Sequence, residues 1–465
     1  MTRRPLAHTL AIVLTALLPV AAHADDLLQT YELARDSDPQ FSAAESTQLL
    51  SKEGAVQARA ALLPQLNGSA SYNRSHSNST GSQVFANTLI TSDSDSTSTS
   101  REYGVNLRQV VWDGGLFSRV RSQNALATAG DFQLKSAGDS LMTRTSAAYF
   151  NVLVAMETLA AAEAQEQALK KQFDFADKRL EVGLAPITDV HEAKAQYEAA
   201  RANTIVTRNA LDDAYRALAE ITGKDAEVLK SLPVDFQPAL PSSLDANGWV
   251  QAALDNNPAL KAREYQLRSA ESDVATARAG HLPTLYLGAN YGKTRTDGDQ
   301  TNNLTSTSTA FDNESRSRSI GLTLSVPIFS GGATQSQVRS ALAQRDITAD
   351  QLEQQKRALV RSTRSAYETL VAGISEVEAR RASVFAARNA YEASQIGLEV
   401  GTRTVLDVLN NQQTLFNAER EYALSRYNFL QNRLLLEQAA GTLDVDDLKD
   451  VNRLLTVDAA PRKAP

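Results

Sequence analysis

Two aspartates in matching surroundings are the residues of this chain best placed for chemistry. Asp189 lies in "LEVGLAPITDVHEAKAQY" (Leu180–Tyr197) and Asp407 in "LEVGTRTVLDVLNNQQTL" (Leu398–Leu415), 218 positions apart. A carboxylate in the first turn of a helix interacts favourably with the positive end of the helix dipole, by about 0.3–1 kcal/mol. In a symmetric assembly, Asp407 and Asn410 on one helix face would instead form a ring of carboxylates above a ring of amides. Carboxylate rings select cations and attract divalent metal ions.

Both stretches have the pattern of a bend between two helices. Gly183 and Gly401 each end a long helix-forming run, where glycine readily adopts the left-handed conformation that terminates a helix. A second helix is predicted to start at once. Pro186 suits its first turn in the first stretch, and "TVLD" (Thr404–Asp407) has the form of a capping box in the second. Helix stability alone therefore accounts for both aspartates, and the carboxylate ring is the functional alternative.

The two bends belong to a duplication that extends along the chain. Matching residues occur in the same order at offsets of 217–219 positions, including Pro39 with Pro258, Tyr72 with Tyr291, Tyr149 with Tyr367, and Gly223 with Gly441. Such a fixed offset indicates a tandem repeat. We therefore divide the chain into a signal peptide (1–24), a first repeat (25–230), a proline-rich linker (231–246), a second repeat (247–445) and a C-terminal tail (446–465).

Each repeat is predicted to contain, in order, a helix, a strand, a loop, a strand, a long helix, a turn and a helix. The long helices are predicted from about Leu116 to Leu180 and from Ala333 to Leu398, because both runs lack proline and are rich in strong helix formers. At about 1.5 Å per residue, each would reach on the order of 100 Å. Apolar residues recur at spacings of three and four, which is typical of helices packed in coiled-coil fashion. We therefore expect an elongated molecule.

The segments before each long helix alternate apolar with small or polar side chains. The alternation is clearest in "SIGLTLSVPI" (Ser319–Ile328) and recurs in segments around Leu66, Val105 and Leu287. Four strands of about 9–11 residues with small polar inner faces fit a β-barrel of the outer membrane. A half-buried soluble sheet shows the same alternation and is the alternative.

Long polar segments separate the paired strands. Residues Arg74–Glu102 and Lys293–Arg318 are rich in Ser, Thr, Asn and Asp, so they are predicted to be loops facing outside the cell. Membrane barrels begin near eight strands and tolerate no open edge in lipid, so several chains must share one wall. Two chains would supply eight strands and three would supply twelve.

Composition and the N-terminus restrict the class of protein. A net charge of −7 offers no basic footprint for nucleic acid, and the absence of cysteine excludes disulfides, thiolate metal sites and a lipid anchor on cysteine. Arg3 and Arg4, the apolar run Leu10–Ala22 and the small residue Ala24 predict a secretory signal peptide cut before Asp25. The alternative, a spanning anchor, needs ~20 apolar residues. The five histidines are scattered and no catalytic or metal-spaced motif occurs, so we predict neither an enzyme nor a cofactor.

Together these motifs resemble those of the TolC family of outer-membrane exit ducts, over essentially the whole mature chain. The resemblance is carried by "VGTRTVLDVLNNQQTL" (Val400–Leu415), by "VGLAPITDVHEAKAQY" (Val182–Tyr197), and by the strand-to-helix corners "WDGG" and "FSGG". It implies a mainly α-helical fold with a small β part and an internal tandem repeat. Three subunits would share a twelve-stranded outer-membrane barrel, four strands from each chain. A long α-helical barrel would continue it across the periplasm.

The resemblance also implies a function and partners. The chain would be the outer-membrane exit duct of a tripartite efflux pump or a type I secretion system, acting as a homotrimer in outer-membrane lipid and extending into the periplasm. It would dock on a periplasmic adaptor of the membrane fusion type and on an inner-membrane transporter of the RND, ABC or MFS type. The alternative is a periplasmic coiled-coil adaptor or structural protein, which leaves the four strands unexplained.

In the resembled family, the turns farthest from the strands form the periplasmic entrance, where an arginine and aspartates make links that hold it closed. By match to the motif, Arg403 would be the arginine, with Thr188 and Asp189 as its partners on the neighbouring hairpin. Two positions depart from the family pattern: Asn410 stands where the family has a second aspartate, and Leu398 where it has a tyrosine. One ring of carboxylates rather than two implies weaker cation binding.

Overall fold

The fold is long and mainly helical, with one four-stranded sheet at one end. A computed structural model describes residues 26–459 apart from positions 87, 185, 227, 243, 303, 304 and 306, so the predicted signal peptide lies outside the described residues. The helices are α1 (Leu27–Ser37), α2 (Pro39–Ala60), α3 (Gly114–Glu181), α4 (Ile187–Thr222), α5 (Ala246–Asn256), α6 (Pro258–Ala279), α7 (Ala333–Glu399), α8 (Val405–Ala440) and α9 (Val445–Leu454). The strands are β1 (Gln65–Phe85), β2 (Thr88–Trp112), β3 (Lys230–Ser231), β4 (Thr284–Asn302), β5 (Thr307–Ser325) and β6 (Val457–Asp458).

One order of elements occurs twice in the described chain. The run α1-α2-β1-β2-α3-α4 is followed by α5-α6-β4-β5-α7-α8, which confirms the predicted tandem repeat. The long helices α3 and α7 have 68 and 67 residues, and their predicted bounds differ from the observed ones by no more than two positions. Each spans about 100 Å at ~1.5 Å per residue. No helix within the described ranges is both long enough and apolar enough to cross a membrane.

The corner between β2 and α3 is built by one aspartate. The carboxylate of Asp113 accepts hydrogen bonds from the backbone N–H groups of Gly115 (2.9 Å) and Leu116 (3.1 Å), which caps α3. Its second oxygen accepts a hydrogen bond from the hydroxyl of Tyr286 at 2.8 Å, which fixes the cap to strand β4. In the second repeat, Gly332 precedes α7 with φ +83°, a left-handed conformation that favours glycine. The two copies therefore make the same corner by different means.

The four long strands form one antiparallel sheet in the order β1-β2-β4-β5. In its register Leu66 lies opposite Leu107, Leu107 opposite Ala289, and Ala289 opposite Ile320. Because alternate residues of a strand share one face, the predicted apolar positions of all four strands lie together. We call this side the apolar face; it carries Leu66, Tyr72, Tyr103, Val105, Leu107, Leu285, Leu287, Tyr291, Ile320, Leu322 and Leu324.

The other side of the sheet, which we call the polar face, is lined by small and uncharged residues. It carries mainly Ser, Thr, Asn and Gly, for example Asn67 opposite Asn106 and Gly288 opposite Gly321. Among the strand residues described, only Glu102 on this face is acidic. The sheet thus separates an apolar side from an almost neutral hydrophilic side.

The predicted strand lengths were wrong. The strands have 19–25 residues rather than 9–11, and the segments predicted as loops, 74–102 and 293–318, are mostly strand. Hydroxyl side chains link the extended part across β1 and β2, as in Ser75–Ser98 at 2.9 Å and His76–Thr97 at 3.0 Å. Such cross-strand pairs stabilise a sheet without apolar residues. Apolar residues alternate only in the half of each strand nearest the helices. A prediction based on this alternation therefore gives strands that are too short.

The main hydrophobic core lies in the helical part and includes the predicted linker. Leu229, Leu232 and Phe236 are buried there among residues of α3 and α8. The hydroxyl of Tyr149 donates to the carbonyl of Lys230 and accepts from its N–H, both at 2.8 Å. The segment between the repeats is therefore a packed part of the core.

Helix α9 and the strand that follows it contact both the start of the first repeat and the segment between the repeats. Strand β6, which follows α9, pairs with β3 in the segment between the repeats. The side chain of Asn452 accepts from the N–H of Leu27 and donates to the carboxylate of Asp26, both at 3.0 Å. The C-terminal residues thus contact the start of the first repeat and the link to the second.

Candidate functional site: the two hairpin turns

Each long helix ends in a bend that depends on a glycine. Gly183 has φ +75° and Gly401 has φ +78°, the left-handed region that is strained for residues with a Cβ atom. The N–H of Gly183 donates to the carbonyl of Leu180 at 2.9 Å, and that of Gly401 to the carbonyl of Leu398 at 3.2 Å. Both bends lie about 100 Å from the sheet, measured along the long helices.

The helices after the bends start differently. Thr404 and Asp407 form a capping box: the hydroxyl of Thr404 accepts from the N–H of Asp407 at 3.2 Å, and the carboxylate of Asp407 accepts from the N–H of Thr404 at 2.9 Å. This confirms the predicted box. In the first hairpin, Pro186 precedes the first helical residue, one position earlier than expected, and makes no side-chain cap. The half-buried Asp189 lies in the first turn of α4.

The carboxylate of Asp407 is ionised and accepts hydrogen bonds from both the N–H and the hydroxyl of Thr404. The hydrogen bonds from the backbone and the hydroxyl of Thr404, followed by the charge of Arg403, hold the pKa of Asp407 below its ordinary value. The side chain is therefore charged at neutral pH and stabilises the start of α8.

The position of Arg403 depends on a glycine in the preceding helix. The carbonyl of Gly397 accepts from the N–H of Thr402 at 2.8 Å, from its hydroxyl at 3.1 Å, and from the N–H of Arg403 at 3.1 Å. A Cβ atom on Gly397 would lie 2.6 Å from Cγ of Arg403, which is closer than any normal contact. The aliphatic part of the arginine thus lies where a larger residue would have its side chain.

The two hairpins place an arginine on opposite sides of the bend. In the first hairpin, the position matching Gly397 is Arg179, and the position matching Arg403 is Ala185. The guanidinium of Arg179 lies 5.6 Å from the ring centroid of Phe175 and donates to the carbonyl of Leu184 at 3.2 Å. This arginine precedes its bend and is held within its own hairpin, whereas Arg403 follows the second bend.

The two hairpins pack side by side within one chain. Leu169 of α3, Ala200 of α4 and Leu409 of α8 form a small buried cluster. A hydrogen bond between the side-chain amides of Gln165 and Gln413 joins α3 to α8 close by. Helix α8 therefore packs against the first hairpin, through α3.

The structure brings the predicted entrance residues to one end of the molecule without joining them all. Thr188 and Asp189 lie at the start of α4, and Arg403 and Asn410 lie on either side of the start of α8. Within the described residues, neither the guanidinium of Arg403 nor the carboxylate of Asp189 takes part in an ion pair. The exposed Asn410 accepts a hydrogen bond at its carbonyl from Thr414 at 2.9 Å.

Two elements of this site were not predicted. Gly397 offered a signal, because a glycine inside a long helix costs about 1 kcal/mol relative to alanine and often has a packing reason. The pair Gln165–Gln413 offered none, since its members lie 248 positions apart.

Comparison with known proteins identifies a family. The outer membrane efflux protein family matches residues 30–224 and 249–442. Outer membrane protein TolC of Escherichia coli (strain K12) is 33% identical over 94% of this chain and 86% of its own length. Alkaline protease secretion protein AprF of Pseudomonas aeruginosa is 31% identical over 97% of this chain and 91% of its own.

Solved structures show the same fold. The Campylobacter jejuni CmeC outer membrane channel has a TM-score of 0.71 at 18% identity, over 92% of this chain and 90% of that one. The Vibrio cholerae outer membrane protein VceC has a TM-score of 0.69 at 20% identity, over 89% of this chain and 96% of that one. Because one family matches both repeats and the relatives cover most of the chain, this chain belongs to the outer membrane efflux protein family.

Proposed function

We propose that this chain is the outer-membrane exit duct of a tripartite efflux pump or a type I secretion system. The observation that carries the proposal is the continuous apolar face of the sheet, at one end of helices about 100 Å long. On β2 this face runs from Tyr103 to Trp112, which is about 30 Å along the strand at ~3.3 Å per residue. A strand tilt of about 40° reduces this length to roughly 23 Å, close to the ~25 Å apolar band of outer-membrane barrels.

The edges of the sheet support assembly with further copies. Strands β1 and β5 each have one side without a partner strand in the described chain. Unpaired backbone groups are not tolerated in lipid, so β1 of one chain would pair with β5 of the next. Three chains would close a twelve-stranded barrel, and membership of the family supports that number over two. Native mass spectrometry of the detergent-extracted protein tests it: the mass of a dimer would contradict the proposal.

The polar face supports a passage for varied cargo. Of the strand residues described, only Arg108 and Glu102 on this face are charged. A lumen lined by Ser, Thr, Asn and Gly would neither select ions strongly nor retain a passing solute. Both small molecules and unfolded proteins are compatible with such a lining.

The length of the helices and the names of two relatives support the inner partners that we propose. A duct of this length would meet a periplasmic adaptor and an inner-membrane transporter of the RND, ABC or MFS type. The names of TolC and AprF connect relatives with the outer membrane and with protease secretion. Cysteine crosslinking at Asn410 in whole cells, followed by identification of the crosslinked protein, tests the contact. A periplasmic adaptor is the alternative, and recovery of the chain without outer membranes would favour it.

We further propose that Arg403 holds the inner end of the duct closed by contacting Thr188 and Asp189 of the neighbouring hairpin. The side-by-side packing of the hairpins supports this, because it brings the start of α4 and the bend before α8 to the same end. The absence of an ion-pair partner for Arg403 and for Asp189 within the described chain also supports it. Asp407 has its own partner in Thr404 and would act mainly as a cap.

Single-channel conductance in planar bilayers tests the closed contact. Arg403→Ser is expected to raise the conductance, because the guanidinium that joins neighbouring hairpins is lost. Arg179→Ser is the matched control, since that arginine contacts only its own hairpin in the described structure. An unchanged conductance for Arg403→Ser, or an equal rise for both variants, would contradict a lock at Arg403.

A further inference from the structure

The apolar face ends at a basic residue on every strand. Followed away from the helices, the first charged residue on this face is Arg74 on β1, Arg101 on β2, Lys293 on β4 and Arg318 on β5. The next positions on the same face are His76, Thr99, Arg295 and Arg316. Six of these eight positions are therefore Arg or Lys, and none is acidic. We call these six residues the basic belt.

On each strand, the acidic residues of this face lie farther from the helices than the belt residues. Three acidic residues lie on the same face, just farther from the helices, and pair with belt residues: Asp297 with Arg101, Asp312 with Arg295, and Glu314 with both Lys293 and Arg316. Arg74 and Arg318 have no ion-pair partner in the part of the chain that the structure describes. The other acidic residues of this face, Asp93, Asp95 and Asp299, lie still farther toward the ends of the strands, so the basic residues are concentrated at the end of the apolar band.

The belt follows the boundary of the membrane. Arg74 on β1 lies opposite Thr99, which is two residues farther from the helices than Arg101, the first basic residue of β2. In the same way, Arg101 lies opposite Arg295, two residues farther from the helices than Lys293. The first basic residue of each strand thus lies two residues closer to the helices than that of the preceding strand in the sheet. Strands in closed barrels tilt by about 35–45°, so a diagonal line across the register becomes nearly level in the membrane.

Solvation does not explain where these charges lie. Beyond the apolar band both faces of the sheet would meet water, yet the polar face has only Arg108 and Glu102 as charged residues. Two guanidinium groups of the belt also lie over tyrosine rings at the end of the apolar band. Arg101 is 5.8 Å from the ring of Tyr72, and Arg318 is 5.6 Å from that of Tyr291. Tyrosine at this depth is typical of the membrane interface.

We infer that the basic belt binds the phosphate groups of the anionic glycolipid, lipopolysaccharide, in the outer leaflet of the outer membrane. This inference rests on the proposed placement of the sheet in that membrane. Arg and Lys form charge-assisted hydrogen bonds with phosphate oxygens. The acidic residues around the belt hold its long side chains in place, while Arg74 and Arg318 remain open to the lipid. The belt fixes the depth of the sheet by binding the headgroups, whereas the apolar face contacts the acyl chains.

The test measures binding of lipopolysaccharide to the purified full chain in neutral detergent. The wild-type protein is expected to bind intact lipopolysaccharide, and to bind it at least tenfold more weakly after enzymatic removal of its phosphates. A basic residue near an anionic lipid surface contributes about fivefold to affinity. Arg318→Gln should therefore weaken binding about fivefold, and Arg74→Gln combined with Arg318→Gln about 25-fold.

Arg108→Gln is the matched control for Arg318→Gln. Both arginines lie on strands of the sheet and over a tyrosine ring, Arg108 at 4.2 Å from the ring of Tyr286, but Arg108 is on the polar face. Its replacement should leave binding unchanged. Equal loss in both variants, or unchanged binding in the double variant, would overturn the inference. Stabilisation by inorganic phosphate to the same extent as by lipopolysaccharide would also overturn it, since that identifies a general anion site.

Conductance and outer-membrane fractionation separate this inference from the proposed function. The double variant should still form channels of wild-type conductance, because the altered residues are on the apolar side of the sheet. If the double variant forms normal channels and binds lipopolysaccharide as the wild type does, the inference about the basic belt is wrong and the proposed duct function still stands. If the wild-type protein forms no channels, the proposed function as an outer-membrane duct is wrong. If the double variant does not assemble, the comparison of intact with dephosphorylated lipopolysaccharide on the wild type decides the question.

Discussion

Replacement of Glu437 by glutamine should make the stability of the helical core less dependent on pH. Glu437 lies near the end of α8 and is 3% exposed. One of its carboxylate oxygens accepts from Nε of Arg433 at 3.2 Å, and the other has no hydrogen-bond partner among the described residues. Burial, followed by the negative charge of Asp447, raises the pKa of Glu437 to about 7.

The sign and the magnitude of the pH effect on the unfolding free energy follow from this pKa. Between the ordinary value of 4.5 and about 7, the folded chain keeps a proton that the unfolded chain has lost. The contribution of Glu437 to the unfolding free energy therefore falls as pH rises through this range and is constant above it. At ~1.36 kcal/mol per pH unit, the total change is about 3 kcal/mol. For a chain of this length it corresponds to a fall of about 3 °C in Tm.

Thermal unfolding of the detergent-solubilised protein, followed by circular dichroism between pH 5 and pH 8, measures this effect. The wild-type Tm should fall by about 3 °C more than that of Glu437→Gln over the range. At pH 8 the variant should be more stable than the wild type, and at pH 5 the two should be similar. Glu392→Gln, at an exposed position of α7, is the control and should behave as the wild type. Parallel pH dependence of Glu437→Gln and the wild type would refute the reasoning.

Two further matched pairs test the sheet and the hairpin. Leu322→Arg places a charge on the apolar face and should destabilise the sheet by about 2–4 kcal/mol in lipid, whereas Thr323→Arg on the polar face should cost less than about 1 kcal/mol. Denaturant unfolding in vesicles measures the difference, and equal losses would reject the assignment of the two faces. Gly397→Ala places a Cβ atom 2.6 Å from Cγ of Arg403 and should raise single-channel conductance towards that of Arg403→Ser. Gly373→Ala is the control on the same helix as Gly397; its Cβ atom would lie 3.3 Å from Phe429 of α8, and the conductance should stay unchanged. An unaffected Gly397→Ala channel would contradict this role of Gly397.

Much of the helical part could be predicted because its signals are local. The long run between Gly114 and Glu181 contains no proline, and Gly183 marks its end, so both bounds of α3 follow from neighbouring residues. The capping box at Thr404 is likewise contained in four consecutive residues. The apolar face of the sheet was also predictable, since alternation in each strand specifies which side chains share a side.

The rest depends on contacts between distant parts of the chain. Strand pairing between Ser75 and Ser98 has no apolar signal, because both faces of the sheet are hydrophilic at that level. The packing of Phe236 into the core depends on helices more than a hundred residues away. The approach of Arg403 to Gly397 depends on the path of the chain through the bend. Propensity and periodicity contain no information on such contacts.

The contact between the two ends of the chain has a consequence for the order of events during biogenesis. Strand β3 pairs with β6, and the N–H of Leu27 at the start of α1 donates to Asn452, so both contacts need residues after Val445, which are the last part of the described chain to be synthesised and exported. Contacts of such large sequence separation form late and slowly. A newly exported chain would thus lack these two contacts until residues 445–458 have followed.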